Sequence, residues 1–380
     1  MSGKRWCTVK VLLLGILVAG PVQAADRPLL LTPDDQRAID MEGSAAQGGV
    51  PRRPPVVDEK IRRAFVGEYS AVGPSKRRVF EKYLNVLGAD GILDFLETEY
   101  PLCHAQAHEL GRAIFARLKE LGPALTACQT RCTSACMHGI LMEAFARERA
   151  QEQHVTLGDV EKRMALLCSE TGEMAKMHRP GNCAHGMGHA LMMVAGHDVE
   201  RSLTACASFK NPAMAYYCAT GVFMEHFEHV DAMGGKSPGP RALHAPCDTH
   251  TRFPAACYRY AVPRMVGALK GDVSAVAAEC LKLPRRQRLG CFHGLGSAGT
   301  RGIAETPALL GSLCGHGSSD DQVLCIEGAI EKLADLNESK ALAACAILSG
   351  READICRAAA SEKMYRLQKP TMGLYYAQEP

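Results

Sequence analysis

Seven cysteines of this chain recur at similar intervals, and each of the seven opens a similar short phrase. The phrase begins as Cys136-Met-His-Gly139 and Cys183-Ala-His-Gly186, and partial copies start at Cys218, Cys257, Cys291, Cys325 and Cys356. Successive starts are separated by between 31 and 47 residues. A repeat of this length is typical of arrays in which each unit buries its apolar face only against its neighbours. The spacing therefore predicts a stacked helical array.

Residues 1–24 have the pattern of a secretory signal peptide. A basic start is followed by an apolar run from Val11 to Val18 and by the small-residue exit Val22-Gln-Ala24, so we expect cleavage after Ala24. Removal of this segment takes three basic residues from 44, leaving 41 Lys and Arg against 41 Asp and Glu. A neutral chain gives no reason to expect nucleic acid as a partner, and no later stretch is long enough to span a membrane. We predict an exported protein, periplasmic or secreted.

Seventeen cysteines occur in the chain, and Cys7 lies in the signal peptide, so an even number remains in an oxidising compartment. Five couples are separated by 10 to 12 residues, and we predict that each couple is one disulfide. The couples are Cys206/Cys218, Cys247/Cys257, Cys280/Cys291, Cys314/Cys325 and Cys345/Cys356. Cys168/Cys183 has the same form with a longer connector. For the other four, the favoured pairing is Cys128 with Cys136 and Cys103 with Cys132; soft metal ligation by the cysteines at four-residue steps is the alternative.

The predicted fold is all-α, an α/α solenoid of about seven disulfide-linked helix-pair repeats. Residues 25–57 are rich in proline and polar side chains and are predicted to form a disordered leader. Residues 58–102 show helical periodicity and are predicted to form an N-terminal helical cap, and 103–380 form the repeat domain. The shorter helix of three repeats follows an N-cap residue, Asp198, Asp272 or Asn337.

The phrase Ala-Glu-Cys280, a polar connector, and Gly290-Cys291-Phe-x-Gly294 resembles the Sel1-like repeats of the Helicobacter cysteine-rich proteins, which are related to tetratricopeptide arrays. The similarity covers about residues 120–375 and concerns disulfide placement and helix-pair length. The Leu-Gly-x-x-Tyr and Gly-x-Gly-Val phrases of that family are missing here. The resemblance implies an α/α solenoid used for protein contacts, and no binding residue carries over.

A glycine stands three places after five of the opening cysteines, at Gly139, Gly186, Gly221, Gly294 and Gly328. Glycine inside a helix costs about 1 kcal/mol relative to alanine, so its recurrence at one register needs a reason. Close crossing of neighbouring helices is the interpretation that we favour.

Histidines recur two places after the cysteines, at His138, His185 and His293, and others lie one helical turn from such positions. Residues at i and i+4 share a helix face, and imidazole and carboxylate suit iron, zinc or copper. The candidate ligands are His104, His108, His138, His185, His189, Glu225 and His229. His293 is expected to lack such reinforcement. Two alternatives remain open, namely histidines that only bond a neighbouring backbone and a metal-free acid–base or ligand-binding groove.

Methionines cluster in the same units, among them Met137, Met187 and Met192. Thioether suits copper(I), although core filling is the commoner role of methionine.

Two functions follow from these patterns. The first is an exported helical-repeat protein with a His/Glu metal site in its first four repeats, acting as a metal-dependent oxidoreductase or hydrolase. The second is a metal-free scaffold that binds a peptide or a partner protein in its concave groove. The chain has no P-loop, no Gly-x-Ser-x-Gly elbow and no Cys-x-x-Cys-His haem attachment.

Overall fold

The computed structural model describes residues 58–73, 76–100, 103–150, 156–169, 175, 178–232, 242–362, 364–371 and 373–374. The predicted signal peptide (1–24) and leader (25–57) lie outside the described residues. Within the described residues the chain is all-α, without strands, and the predicted helical-repeat fold is confirmed. No helix in these ranges is both long and apolar enough to cross a membrane.

Two helices precede the array, α1 (Glu59–Ala71) and α2 (Arg77–Glu99), and α2 packs on the first helix of the array. Asp58 caps α1 by accepting a hydrogen bond from the Lys60 amide at 2.8 Å. Gly88, with φ of 68°, kinks α2.

Long and short helices alternate from residue 104 onward. The long helices are α3 (His104–Leu118), α5 (Ala135–Ala150), α7 (Pro180–Ala195), α9 (Pro212–Ala232), α11 (Pro254–Ala268), α13 (Arg285–Glu305), α15 (Ser319–Leu336) and α17 (Gly350–Glu362). The shorter ones are α4 (Leu121–Ala127), α6 (Leu157–Leu167), α8 (Val199–Cys206), α10 (Ala245–Asp248), α12 (Val273–Leu281), α14 (Leu309–Cys314) and α16 (Glu338–Cys345). Each long helix packs on the next, so the long helices form a continuous layer, and the short helices connect them.

The three predicted N-caps are present. Asp198, Asp272 and Asn337 each accept a hydrogen bond from the amide three residues ahead, at 3.1, 2.9 and 2.9 Å. These contacts satisfy an amide that the helix itself leaves without a partner. The short helices α8, α12 and α16 therefore begin where the sequence predicts.

Eight disulfides join the described cysteines, in the couples that their spacing suggests. The first two are Cys103–Cys132 and Cys128–Cys136, so these cysteines are not available as metal ligands. Six bonds tie the end of one short helix or connector to the following long helix, across 10 to 15 residues. In the chain-entropy model each loop of this size adds on the order of 3 kcal/mol of stability.

Glycines allow the long helices to touch backbone to backbone. A Cβ atom on Gly139 of α5 would lie 2.0 Å from the His108 carbonyl oxygen of α3, and one on Gly111 of α3 would lie 1.9 Å from the Cys136 oxygen of α5. The same reciprocal contact joins α7 to α9 through Gly188 and Gly221, and α13 to α15 through Gly296 and Gly328. Since no side chain fits these crossings, only glycine is compatible with them.

The far end of the chain returns to the inside of the array. The Arg179 guanidinium donates to the Met364 carbonyl at 2.9 Å, and the Tyr217 hydroxyl donates to the Arg366 carbonyl at 2.7 Å. Helix α15 also contacts the 3₁₀ turn Cys132–Ser134, which belongs to an early repeat. Residues 364–371, hereafter the C-terminal segment, thus connect late repeats to early ones across the interior.

We expect Gly139→Ala to lower the free energy of unfolding by about 2–4 kcal/mol, because the added methyl overlaps the His108 carbonyl and forces α3 and α5 apart. Gly122→Ala is the control, since an added Cβ there meets nothing within 4 Å. That change should be neutral or stabilise by up to about 1 kcal/mol. Urea unfolding with the disulfides intact measures both. Equal effects at the two positions would contradict a steric role for Gly139.

Candidate metal centre

Five histidines from three consecutive long helices meet inside the array. His104 and His108 lie one turn apart on α3, His138 lies on α5, and His185 and His189 lie one turn apart on α7. The ring centroids of His108 and His189 are 4.8 Å apart, and those of His138 and His185 are 5.0 Å apart. Helices α3 and α7 both pack on α5, so their histidines reach each other beside it. We call this group the histidine cluster.

The hydrogen bonds of three rings determine which nitrogen carries the proton. The His104 Nδ1 atom is 3.1 Å from the Cys132 carbonyl oxygen, which only accepts. His189 Nδ1 is 2.9 Å from the Glu225 carboxylate, which also accepts. Each ring therefore donates through Nδ1, and its neutral form presents an unprotonated Nε2.

His185 follows the same rule through a hydroxyl. Its Nδ1 atom is 2.8 Å from Thr220 Oγ1, and the Thr220 hydroxyl donates its own proton to the Tyr217 carbonyl at 2.5 Å. The hydroxyl oxygen must then accept from His185 Nδ1. Thr220 and Glu225 thus have the same role. Each is an outer hydrogen-bond partner that fixes the tautomer and the orientation of one ring, His185 or His189.

The consequence is two lone pairs that face each other. His185 Nε2 and His189 Nε2 are 3.2 Å apart, and both are unprotonated when the rings are neutral. Such an arrangement is repulsive unless a proton or a cation lies between the two atoms. Two imidazoles bound to one ion in tetrahedral geometry, at about 2.0–2.1 Å each, place their nitrogens about 3.3 Å apart.

Other ring nitrogens of the cluster also lack hydrogen-bond partners. Among the described residues, no hydrogen bond reaches Nε2 of His104 or of His108. The Asn182 backbone lies beside the His138 ring and favours its protonated form, but neither nitrogen of that ring makes a hydrogen bond of normal geometry. An unpaired buried polar atom costs about 1–3 kcal/mol, so several together call for an explanation.

Burial keeps four rings of the cluster neutral. It is the largest influence that lowers the pKa of His104 to about 3 and holds the pKa values of His108, His138 and His185 well below the ordinary value. The charge that each neighbouring imidazole would carry acts in the same direction. Burial alone would raise the pKa of Glu225, but the hydrogen bond and charge of His189 lower it below its ordinary value. The site thus combines four rings held in the neutral form, which binds metals, with an ionised outer carboxylate.

Four of the rings are close enough to share one ion. His104, His108, His138 and His189 each offer a nitrogen, and these nitrogens lie within 4.8 Å of one another. Two ligands of one ion at about 2.1 Å are at most about 4.2 Å apart, so any pair near the 4.8 Å limit must move closer to share the ion. His185 lies close to His189 and can replace or add to this set.

A cavity of about 270 Å³ adjoins the cluster through His104. Its other polar lining residues include Glu228 of α9, Arg259 and Tyr260 of α11, Lys332 of α15 and Tyr365 of the C-terminal segment. Burial raises the pKa of Glu228 to about 7. A carboxyl with this pKa can exchange protons near neutral pH.

The structure brings together six of the seven predicted ligands, five as the cluster and Glu225 as an outer partner. His229 lies apart, with its ring stacked on His197 at a centroid distance of 3.8 Å.

The expectation that His293 lacks reinforcement is wrong, because its Nε2 atom is 3.0 Å from Glu331 and 3.8 Å from Glu327. Arg259 and Lys369 neutralise those carboxylates. Met137, Met187 and Met192 are buried in the hydrophobic core.

Sequence reasoning missed Thr220, Glu228, Arg259 and Lys332. Thr220 stands two places after Cys218, the position that histidine holds in other repeats, so its register gave a usable signal. The other three had none, since they reach the cavity from distant repeats.

Comparison with protein-family models, with curated protein sequences and with solved structures found no match to this chain. The resemblance to Sel1-like repeats therefore stays a prediction.

Metal-free protein should lose stability as the pH falls below the ordinary histidine value. The unfolded chain takes up protons near pH 6.5, whereas the buried rings do not until well below it, so acid favours unfolding. From about pH 7 to about pH 5.5, each such ring should cost about 1 kcal/mol, partly offset by Glu228, whose raised pKa acts in the opposite direction. Urea unfolding after chelation at both pH values measures the change.

His138→Ala should reduce this change in unfolding free energy by the contribution of one ring. His244→Ala is the control, because His244 is partly exposed and lies outside the cluster. A pH dependence that is the same in all three proteins would show that the cluster does not remain neutral in the folded state.

Proposed function

We propose that the histidine cluster binds one first-row transition metal ion and that this centre acts on a small molecule held in the adjoining cavity. The observation that carries the proposal is the pair of Nε2 atoms of His185 and His189, 3.2 Å apart, both unprotonated when their rings are neutral. A bound cation turns this repulsive contact into shared coordination.

The donor set indicates the class of metal. All the converging atoms are imidazole nitrogens, and the sixteen cysteines from Cys103 onward are in disulfides, so thiolate ligation is unavailable. Imidazole suits iron, zinc and copper. Zinc would supply hydrolytic chemistry and iron or copper oxidative chemistry, so the metal found in the protein decides between a hydrolase and an oxidoreductase.

Two features favour a catalytic role over a structural one. Eight disulfides already hold the fold, and the cluster has more nitrogen donors than a closed tetrahedral site needs. His104 also lines the cavity that contains Glu228, whose carboxyl can act as a general acid or base at neutral pH. The alternative scaffold function would use the inner face of the array, which the C-terminal segment occupies in part.

The disulfides also support the predicted export, because such bonds persist in oxidising compartments. We propose that the protein works in the periplasm or outside the cell.

Protein purified without a His tag and without chelator should contain about one metal ion per chain by elemental analysis. His138→Ala and His189→Ala should each weaken metal binding by at least about tenfold, and Glu225→Gln by about tenfold because His189 loses its charged outer partner. His244→Ala is the matched control and should bind metal as the wild type does. Affinities are measured by competition with a chromophoric chelator.

Circular dichroism and thermal unfolding of the metal-free variants separate loss of ligands from loss of fold. If the wild type contains no metal and takes up none from micromolar Fe(II), Zn(II) or Cu(I), the metal function is wrong and the scaffold function replaces it.

A further inference from the structure

The cavity beside the histidine cluster has a marked charge imbalance. Five long helices contribute to its wall, α3, α9, α11, α13 and α15, and the C-terminal segment completes it. At about 270 Å³ it has the volume of roughly nine water molecules at about 30 Å³ each. The space therefore suits a small metabolite rather than a peptide or a cofactor of nucleotide size.

Lys332 has no counter-ion among the described residues. Its side chain is half-buried and lines the cavity, and within the described parts of the chain no carboxylate or other acceptor bonds its amine. Burial, together with the nearby charge of Arg259, lowers the pKa of Lys332 to about 8. A buried ammonium is costly unless an anion accompanies it.

The neighbouring charges do not supply that anion. Glu331, the adjacent residue on α15, is 2.8 Å from Arg259 and is also paired with Lys369. Glu327 is 3.5 Å from Lys369 and accepts from the Thr371 hydroxyl. These acidic groups and basic groups balance each other, and the Lys332 charge remains in excess.

Glu228 is the acidic residue among those that line the cavity, since Glu327 and Glu331 do not line it. Its carboxyl is affected by His189, Glu225, Arg112 and Asp231, and no contact joins it to Lys332 among the described residues. It therefore does not serve as the counter-ion of Lys332.

Lys332 and the metal centre face the same space. His104 lines the cavity, and the Lys332 charge is close enough to lower the pKa of the His104 ring. The Tyr260 and Tyr365 rings also line the cavity; their hydroxyls are 3.3 Å apart, and both rings lie beside His185. A molecule in the cavity would thus meet two cations, Lys332 and the loaded centre, together with two aromatic rings.

We propose that the cavity binds a small carboxylate-bearing molecule, with its carboxylate at the Lys332 ammonium and a second oxygen donor directed to the metal centre. This inference rests on the proposed function for its second contact, whereas the contact with Lys332 does not. Lys332 is then a substrate-binding residue, and the substrate class is a small acid with an oxygen function at its other end.

Cobalt(II) provides a visible probe of the loaded site, because its absorption spectrum changes when a new oxygen ligand binds. Titration of the Co(II)-loaded protein with malonate should give saturable spectral changes, and neutral malonamide, of nearly the same shape, should bind at least tenfold more weakly. Lys332→Met should weaken malonate binding at least tenfold, leave malonamide binding unchanged and leave Co(II) affinity unchanged. Lys282→Met is the matched control, because Lys282 is exposed and paired with Glu279.

Malonate binding that is unaffected by Lys332→Met, or equal binding of malonate and malonamide, would overturn the proposal. Failure of the protein to take up Co(II) would count against the metal centre instead. In that case calorimetry of malonate binding to metal-free protein tests the Lys332 contact alone. A heat of binding lost in Lys332→Met supports the anion site, and no heat in the wild type overturns it.

Discussion

The backbone contact between glycine-bearing helices is the constraint on which the rest of this structure depends. Gly111 and Gly139 let α3 and α5 touch at carbonyl oxygens, and Gly188 and Gly221 do the same for α7 and α9. The histidines stand beside these glycines in sequence, three places before Gly111 and one place before Gly139. Helices that cross so closely bring their flanking side chains together, so the same contact that packs the array also assembles the histidine cluster.

The same crossing occurs three times with different side chains opposite the histidine. His138 lies opposite His108, Thr220 opposite His185, and Glu327 opposite His293. At the third crossing Arg259 and Lys369 supply positive charge, and the group is a buried ion-pair network. At the first two, among the described residues, no basic side chain of Lys or Arg bonds the rings, and the nitrogens converge with their lone pairs unshared. The same packing geometry thus supports a buried ion-pair network at the third crossing and a set of unpaired ring nitrogens at the first two.

Disulfides explain how the fold accommodates such an interior. Buried histidine nitrogens without partners, and a lysine without a counter-ion, each lower the stability of the folded state. Eight short-range disulfides restrict the unfolded chain and offset these costs on the order of 3 kcal/mol for each loop. The buried disulfides that join short helices to long ones thus offset part of the cost of the inner polar groups, which are then free to serve binding.

Sequence alone determined the local features, because they depend on spacing along the chain. Cysteine couples 10 to 12 residues apart can only close short loops, helical periodicity gives each helix its buried face, and Asp198, Asp272 and Asn337 cap helices through their own neighbouring amides. The shared register of His108, His138 and His185 was visible for the same reason. Only the tertiary structure decided that His229 stacks on His197, that Glu331 reaches His293, and that Lys332 shares a cavity with His104. Those contacts depend on the crossing angles summed over several repeats and on the return of the C-terminal segment, and no spacing in the sequence encodes either.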